Sequence, residues 1–329
     1  MLARLTEIFD AAGTLHQVPE APRRHLESVR IVARRQHQAA RWEIEQIAKA
    51  LGGRGIPTIL LKGAAYLAAG LPCTRGRMFV DIDLMVPREA IGDAERALNA
   101  HGWLAHGLDP YDKRYYREWM HEIPPLRHIK RGSVLDVHHT ILPPTSKPKP
   151  DARKLLAAAV PVEGYEEIYV LAPADMVLHS ATHLFYDGEL NHGLRDLVDL
   201  DDLLRHFSAQ DAGFWQALVD RALEMELAQP LFYGLRYAQR FLGTPVPEFV
   251  EKAIARAGPS RAMRPVMDAL FDRALMPDHS TCSDWFTPTA RWLLYVRSHY
   301  LRMPLRLLVP HLTRKAWRRV KGEDAVHRG

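Results

Sequence analysis

Cysteine is scarce in this chain: 329 residues include only Cys73 and Cys282. Two thiols cannot build a disulfide framework or a thiolate-only zinc site, and they suit a reducing compartment. Long apolar runs are also missing. The uncharged stretch from Gly63 to Thr74 is 12 residues long, too short to span a bilayer. The first 50 residues are studded with Arg, Glu and His, which is not the pattern of a signal peptide. Together these absences predict no transmembrane segment and a soluble, cytoplasmic protein. Acidic residues are absent from one segment: residues 285–322 hold nine basic side chains and no acidic one. The chain as a whole carries a net +5, yet outside this segment 35 basic residues face 39 acidic ones. The basic character therefore belongs to 285–322. It predicts a surface for an anionic partner, lipid or nucleic acid, or else a core-packed helix with a basic outer face.

What is present is ordinary globular material, 47% hydrophobic and 25% charged, with room for about two domains. Apolar residues at three- and four-residue steps predict helix from Leu2 to about Leu51, stopped by Gly52, Gly53 and Gly55. Ile56–Leu61 reads as a buried strand, and Ala64–Ala69 as a short helix. Phe79–Val86 alternates polar and apolar residues like a strand, and Glu89–Ala100 is an amphipathic helix. Tyr111–Lys130 reads as edge strands with loops, Ser133–His139 as a strand, and Pro143–Pro150, with four prolines, as a linker or exposed loop. After a strand at Tyr165–Leu171 the pattern is helical: Ala174–Tyr186, Leu194–Phe207, Phe214–Leu227, Leu231–Leu242, Pro247–Ala257, Ala262–Ala274 and two basic segments from Arg291 to Val320. The expected division is an N-terminal helical segment (1–55), an α/β domain (56–172) and a helical domain ending in the basic segment (173–329). The fold class is α+β, with an all-helical C-terminal part.

The chemistry concentrates at Asp81-Ile82-Asp83. Residues two apart on a strand face the same side, about 7 Å apart, so both carboxylates project together from an element whose other face is apolar. Their mutual repulsion favours a cation between them. Leu135-Asp136-Val137 places a third acid in another apolar strand. If the two strands are neighbours, three hard oxygen donors converge, a set suited to Mg²⁺ or Mn²⁺ rather than zinc. Such a set can hold two ions that clamp the attacking and leaving oxygens of a phosphoryl displacement. Upstream, Lys62-Gly63 stands where a strand turns into a helix, so that the following amides form a phosphate seat.

These residues resemble the nucleotidyltransferase superfamily of the polymerase-beta type, and within it the branch of uncharacterised bacterial nucleotidyltransferases. The matching segments are Leu60-Leu61-Lys62-Gly63-Ala64-Ala65, Arg77, Val80-Asp81-Ile82-Asp83-Leu84-Met85-Val86, Gly102-Trp103 and Leu135-Asp136-Val137-His138. The helices carrying His179, His183 and Arg195 to Leu204 are similar to that branch too, so the likeness covers most of 56–206. It implies a mixed nucleotidyltransferase sheet flanked by helices, with Asp81 and Asp83 as ligands of a metal-bound nucleoside triphosphate. It also implies that Asp136 is the third metal ligand and the residue that helps activate an acceptor hydroxyl. Gly63 matches the family's Gly-Gly or Gly-Ser turn, whereas Ala64 lacks the hydroxyl that would contact phosphate; Lys62, Arg75 or Arg77 would supply charge instead.

The expected activity is Mg²⁺-dependent transfer of a nucleotide, AMP from ATP, to an acceptor hydroxyl with release of pyrophosphate. The acceptor would be a small molecule, a protein side chain or a nucleic-acid end. The alternative is a non-catalytic accessory protein that keeps the fold to bind a nucleotide or a partner. His138 shares the face of Asp136 and is expected to border the site. His179 and His183 lie four apart on one helix face, with Asp187 four further on. They would line the nucleotide or acceptor pocket or, in a third reading, centre a metal hydrolase. Asp199, flanked by Leu197, Val198 and Leu200, is a candidate for an inward polar contact.

Overall fold

The computed structural model describes residues 1–105, 116, 119–186, 188, 190 and 192–304. Its N-terminal helices are α1 (Leu2–Ala11) and α2 (Glu20–Leu51). The single long helix expected from the periodicity is thus two. Gly13 takes φ 66°, and Pro19 stands just before α2, so the chain turns between them and α1 folds back on α2.

Seven strands follow the order β3-β4-β5-β2-β1-β7-β6 in one sheet. They are β1 (Thr58–Leu61), β2 (Ile82–Met85), β3 (Trp103–Ala105), β4 (Leu126–His128), β5 (Val134–His138), β6 (Val160–Pro161) and β7 (Ile168–Val170). The β1–β7 and β2–β5 pairs are parallel and the other pairs antiparallel, so the sheet is mixed. The strand expected at 79–86 starts only at Ile82. The preceding backbone is held by α2 instead: Gln36 Oε1 accepts from the Phe79 amide at 3.1 Å, and His37 Nε2 meets the Arg77 carbonyl at 2.7 Å. Helix α3 (Lys62–Ala68) joins β1 to the loop before β2, and α4 (Ile91–Ala100) joins β2 to β3. Part of the expected edge region, 111–115 and 117–118, lies outside the described residues.

The proline-rich stretch does not behave as an exposed connector. Ile141, Leu142, Ser146 and Pro148 are buried, and the Thr145 hydroxyl donates to the Arg302 carbonyl at 2.7 Å. After α5 (Ala152–Ala158), the chain returns to the sheet for β6 and β7. The helical part then comprises α6 (Pro173–Tyr186), α7 (Gly193–Gln210), α8 (Phe214–Glu224), α9 (Ala228–Leu242), α10 (Glu248–Ile254), α11 (Arg264–Ala274) and α12 (Thr287–Arg302). Helix α6 is buried nearly all round, because α3, α7, α8, α9 and α12 surround it. One buried apolar cluster runs without a break from Ile44 on α2, through the sheet, to Leu294 on α12. The architecture is α+β, a mixed sheet flanked by helices and followed by a helical C-terminal part.

Candidate active site: three carboxylates around a cavity

Strand β2 lies between β1 and β5, and the register sets Asp83 directly beside Asp136. Partnered residues on neighbouring strands emerge on one face with backbones about 4.8 Å apart. The apolar partners Ile82–Leu135 and Leu84–Val137 occupy the opposite face and are buried. Asp81, two residues before Asp83, flanks the start of the strand. All three carboxylates line one cavity of about 260 Å³, shared with Lys62, His138, His179, His183 and Arg302. Helix α6, the end of α12 and the Leu142-Pro143 turn supply other parts of its wall.

Lys62 makes the turn from β1 into α3 with φ 46°, in the left-handed region that a lysine rarely adopts. This strain, of order 1–3 kcal/mol, accompanies a direct contact: the Lys62 ammonium donates to Asp83 Oδ1 at 2.8 Å. His138 Nε2 approaches the same oxygen at 3.2 Å. Burial alone would raise the Asp83 pKa, but the Lys62 charge and the His138 hydrogen bond outweigh it and hold the carboxyl well below its ordinary range.

Asp136 behaves oppositely. Burial first, then the charges of Asp83 and Glu122, push its pKa up to about 7. Its Oδ1 is buried and has no hydrogen-bond partner among the described residues. Asp81 is also shifted upward, by its crowded surroundings and then by Asp83. Asp81, Asp83 and Asp136 are three hard oxygen donors on one cavity, the kind that suits Mg²⁺ or Mn²⁺, but their oxygens do not all lie within 4.8 Å of one another, so an ion held by all three would need them to draw closer. His179 is held well below the ordinary imidazole range, chiefly by burial and then by the Lys62 charge.

The residues expected at the site are therefore split. Asp81, Asp83, Asp136, Lys62, His138 and His183 come together around the cavity, whereas Gly63, Ala64, Arg75 and Arg77 do not line it. Arg75 is exposed. Arg77 is buried, and its Nε donates to Asp199 Oδ2 at 2.8 Å. Arg4 reaches Asp199 from α1, so the inward contact of Asp199 is an ion-pair hub with two arginines. This explains Gly63 in another way: a Cβ there would collide with the Arg77 guanidinium and come within 2.8 Å of the Phe79 ring.

Several cavity residues escaped the sequence reading. His121 and Glu122 sit in an aromatic, basic stretch without periodicity, and a neighbouring pair gives no face signal. Backbone bonds between 121–123 and 137–139 bring them to β5: the His139 amide donates to the His121 carbonyl at 2.8 Å and the Ile123 amide to the Val137 carbonyl at 2.9 Å. Arg302 was legible only as one charge of the basic segment. Elsewhere in that segment, Arg291 pairs with Asp278 at 2.7 Å, and Arg297 donates to the Phe185 carbonyl at 3.0 Å over the Tyr233 ring. Residues 305–322 lie outside the described residues.

Asp187, the third member of the His179/His183 motif, likewise lies outside the described residues. Among those described, the His, Cys, Asp and Glu group whose ligand atoms approach within 4.8 Å of one another is His121, Glu122 and His138; it includes neither His179 and His183 nor the Asp81, Asp83 and Asp136 set. Larger hollows, about 440 Å³ beside the proline-rich stretch, about 570 Å³ between the end of α2 and β7 and about 270 Å³ between α9 and α10, lack the paired strand acids. Register, not size, singles out the site.

The comparisons with known proteins agree with this geometry. The model of a family described as an uncharacterised nucleotidyltransferase matches residues 1–243. The match takes in α1 and α2 and runs on to the end of α9, further in both directions than the motifs alone suggest. No curated protein matches the chain. No helix among the described residues is long and apolar enough to cross a membrane. With the family model covering most of its length and the paired acids on neighbouring strands, the chain belongs to this uncharacterised nucleotidyltransferase family, and nucleotidyl transfer is its general activity.

Proposed function

We propose that the protein moves a nucleotide, AMP from ATP, onto an acceptor hydroxyl with release of pyrophosphate, at the cavity lined by Asp81, Asp83 and Asp136. The observation that carries this reading is the β2–β5 register, which sets Asp83 beside Asp136 while the Asp136 Oδ1 has no hydrogen-bond partner among the described residues. Asp81, Asp83 and Asp136 would hold Mg²⁺ or Mn²⁺, which when bound neutralises the polyphosphate and the developing negative charge. Lys62 and Arg302 supply cationic contacts to the phosphates, and His183 borders the nucleotide or the acceptor. Asp136, with a pKa near neutrality, accepts the proton of the acceptor hydroxyl. The freed oxygen forms its bond to the α-phosphorus as the bond from that phosphorus to the bridging oxygen breaks, and pyrophosphate departs with that oxygen. The acceptor is a small molecule, a protein side chain or a nucleic-acid end.

A second reading, a non-catalytic binding protein, has two observations in its favour. The Asp83 charge is already met by Lys62 and His138, and Ala64 offers no hydroxyl. One experiment separates the two: incubation with each α-labelled nucleoside triphosphate and Mg²⁺, with the Asp83→Asn variant alongside. Turnover or self-labelling that disappears in the variant supports transfer. Nucleotide binding without label transfer selects a nucleotide-binding protein, and absence of nucleotide binding removes transfer and leaves a protein that binds a partner.

A further inference from the structure

An isolated bridge pairs Glu122 with His138, and the His121 ring lies against the His138 ring. The ring centroids of His121 and His138 are 5.1 Å apart. His138 Nδ1 lies 3.5 Å from Glu122 Oε2, and the ligand atoms of all three residues fall within 4.8 Å of one another. Neither His121 Nδ1 nor His138 Nδ1 has a hydrogen-bond partner among the described residues, although both atoms are buried. The other nitrogen of His138 meets the Asp83 carboxylate at 3.2 Å.

We infer that His121, Glu122 and His138 form a second, separate metal site for a borderline transition-metal ion such as Zn²⁺. Two imidazoles and one carboxylate with a further position open are the donor set zinc takes when it also holds a water or a substrate atom. An ion with bonds of about 2.1 Å in tetrahedral array needs ligand atoms about 3.4 Å apart. The His138–Glu122 pair, at 3.5 Å, already meets this spacing, and the other two spans, both within 4.8 Å, need to close by no more than about 1.4 Å. The Asp83–His138 contact is the carboxylate-to-imidazole support that orients metal-binding histidines, with Nε2–H given to the carboxylate and Nδ1 left for the ion. The backbone bonds that tie 121–123 to 137–139 hold the donors in the wall of the cavity that Asp136 also lines. The site differs in chemistry from the hard oxygen set of Asp81, Asp83 and Asp136 and does not depend on nucleotidyl transfer.

The test uses the full chain stripped with a chelator, loaded with Zn²⁺, dialysed, and measured by elemental analysis and by competition with a chromophoric chelator. Wild type is expected to retain about one zinc ion per chain. His121→Ala and Glu122→Gln should each weaken binding by at least about 100-fold, and Asp83→Asn by about 10- to 100-fold through the lost support. Asp81→Asn should leave zinc binding intact. Circular dichroism and thermal melts establish that each variant is folded, and Co²⁺ replacing Zn²⁺ should give visible d–d bands that His121→Ala abolishes. Zinc held equally by wild type, His121→Ala and Glu122→Gln would overturn the site. So would zinc lost with Asp81→Asn alone, or no retention by the wild type.

Discussion

Asp83 and Asp136 stand side by side, yet their surroundings treat charge oppositely, and substitution separates them. Asp83 is ionised against Lys62 and His138. Asp83→Asn leaves that part-buried ammonium without its carboxylate, so it should cost about 1–3 kcal/mol of stability and lower transfer by at least about 100-fold, read by denaturation and by label transfer. For Asp136 the folded pKa of about 7 lies above the ordinary value of 3.8. The native state therefore binds more protons than the unfolded chain between these values, and stability falls as pH rises through that window. Asp136→Asn should abolish transfer but stabilise the metal-free protein at pH 8 by about 1–2 kcal/mol, a rise of roughly 2–8 °C in melting temperature. At pH 4 the gain should vanish. Arg302→Ala should raise the nucleotide Kd by about tenfold, the loss of one charge-assisted phosphate contact, with the melting temperature nearly unchanged.

At the scale of elements, Asp199 on α7 ties together α1 through Arg4 and the loop before β2 through Arg77. Removing this buried carboxylate leaves the Arg77 guanidinium without its carboxylate and Arg4 with Asp202 alone. Asp199→Asn should therefore cost about 3–5 kcal/mol in urea denaturation, while the folded fraction keeps its nucleotide affinity. Were Arg77 a phosphate contact, affinity would fall in Arg77→Met independently of stability. Gly63→Ala should act through the same place, costing about 1–3 kcal/mol as the new Cβ forces Arg77 and Phe79 aside.

For the whole molecule, the unbroken apolar cluster from α2 to α12 couples the sheet to the helices that wall the cavity. Ligands at the carboxylates should thus stabilise the entire chain, not a local loop. Nucleoside triphosphate with Mg²⁺ at about 100 times Kd should add about 2.7 kcal/mol, visible as a higher melting temperature that a chelator reverses. Asp81→Asn should lose this gain.

Much of the site was legible in local pattern. The spacing of Asp81 and Asp83 and the apolar neighbours of Asp136 set three acids on strand faces, because side-chain alternation is a property of a few consecutive residues. The helices were legible for the same reason, apart from the turn between α1 and α2, where Gly13 and Pro19 interrupt a periodicity that continues on both sides. Only tertiary structure decided that β5 lies parallel to β2 with Asp136 beside Asp83, since strand order and register depend on packing between distant segments. It also decided that Arg77 turns to Asp199 instead of the cavity, and that His121, Glu122 and Arg302 reach the cavity from segments without a face signal. The sequence by itself determined which groups carry charge and which strand face they take; long-range packing chose their partners, because the cost of burying a charge depends on what stands opposite it.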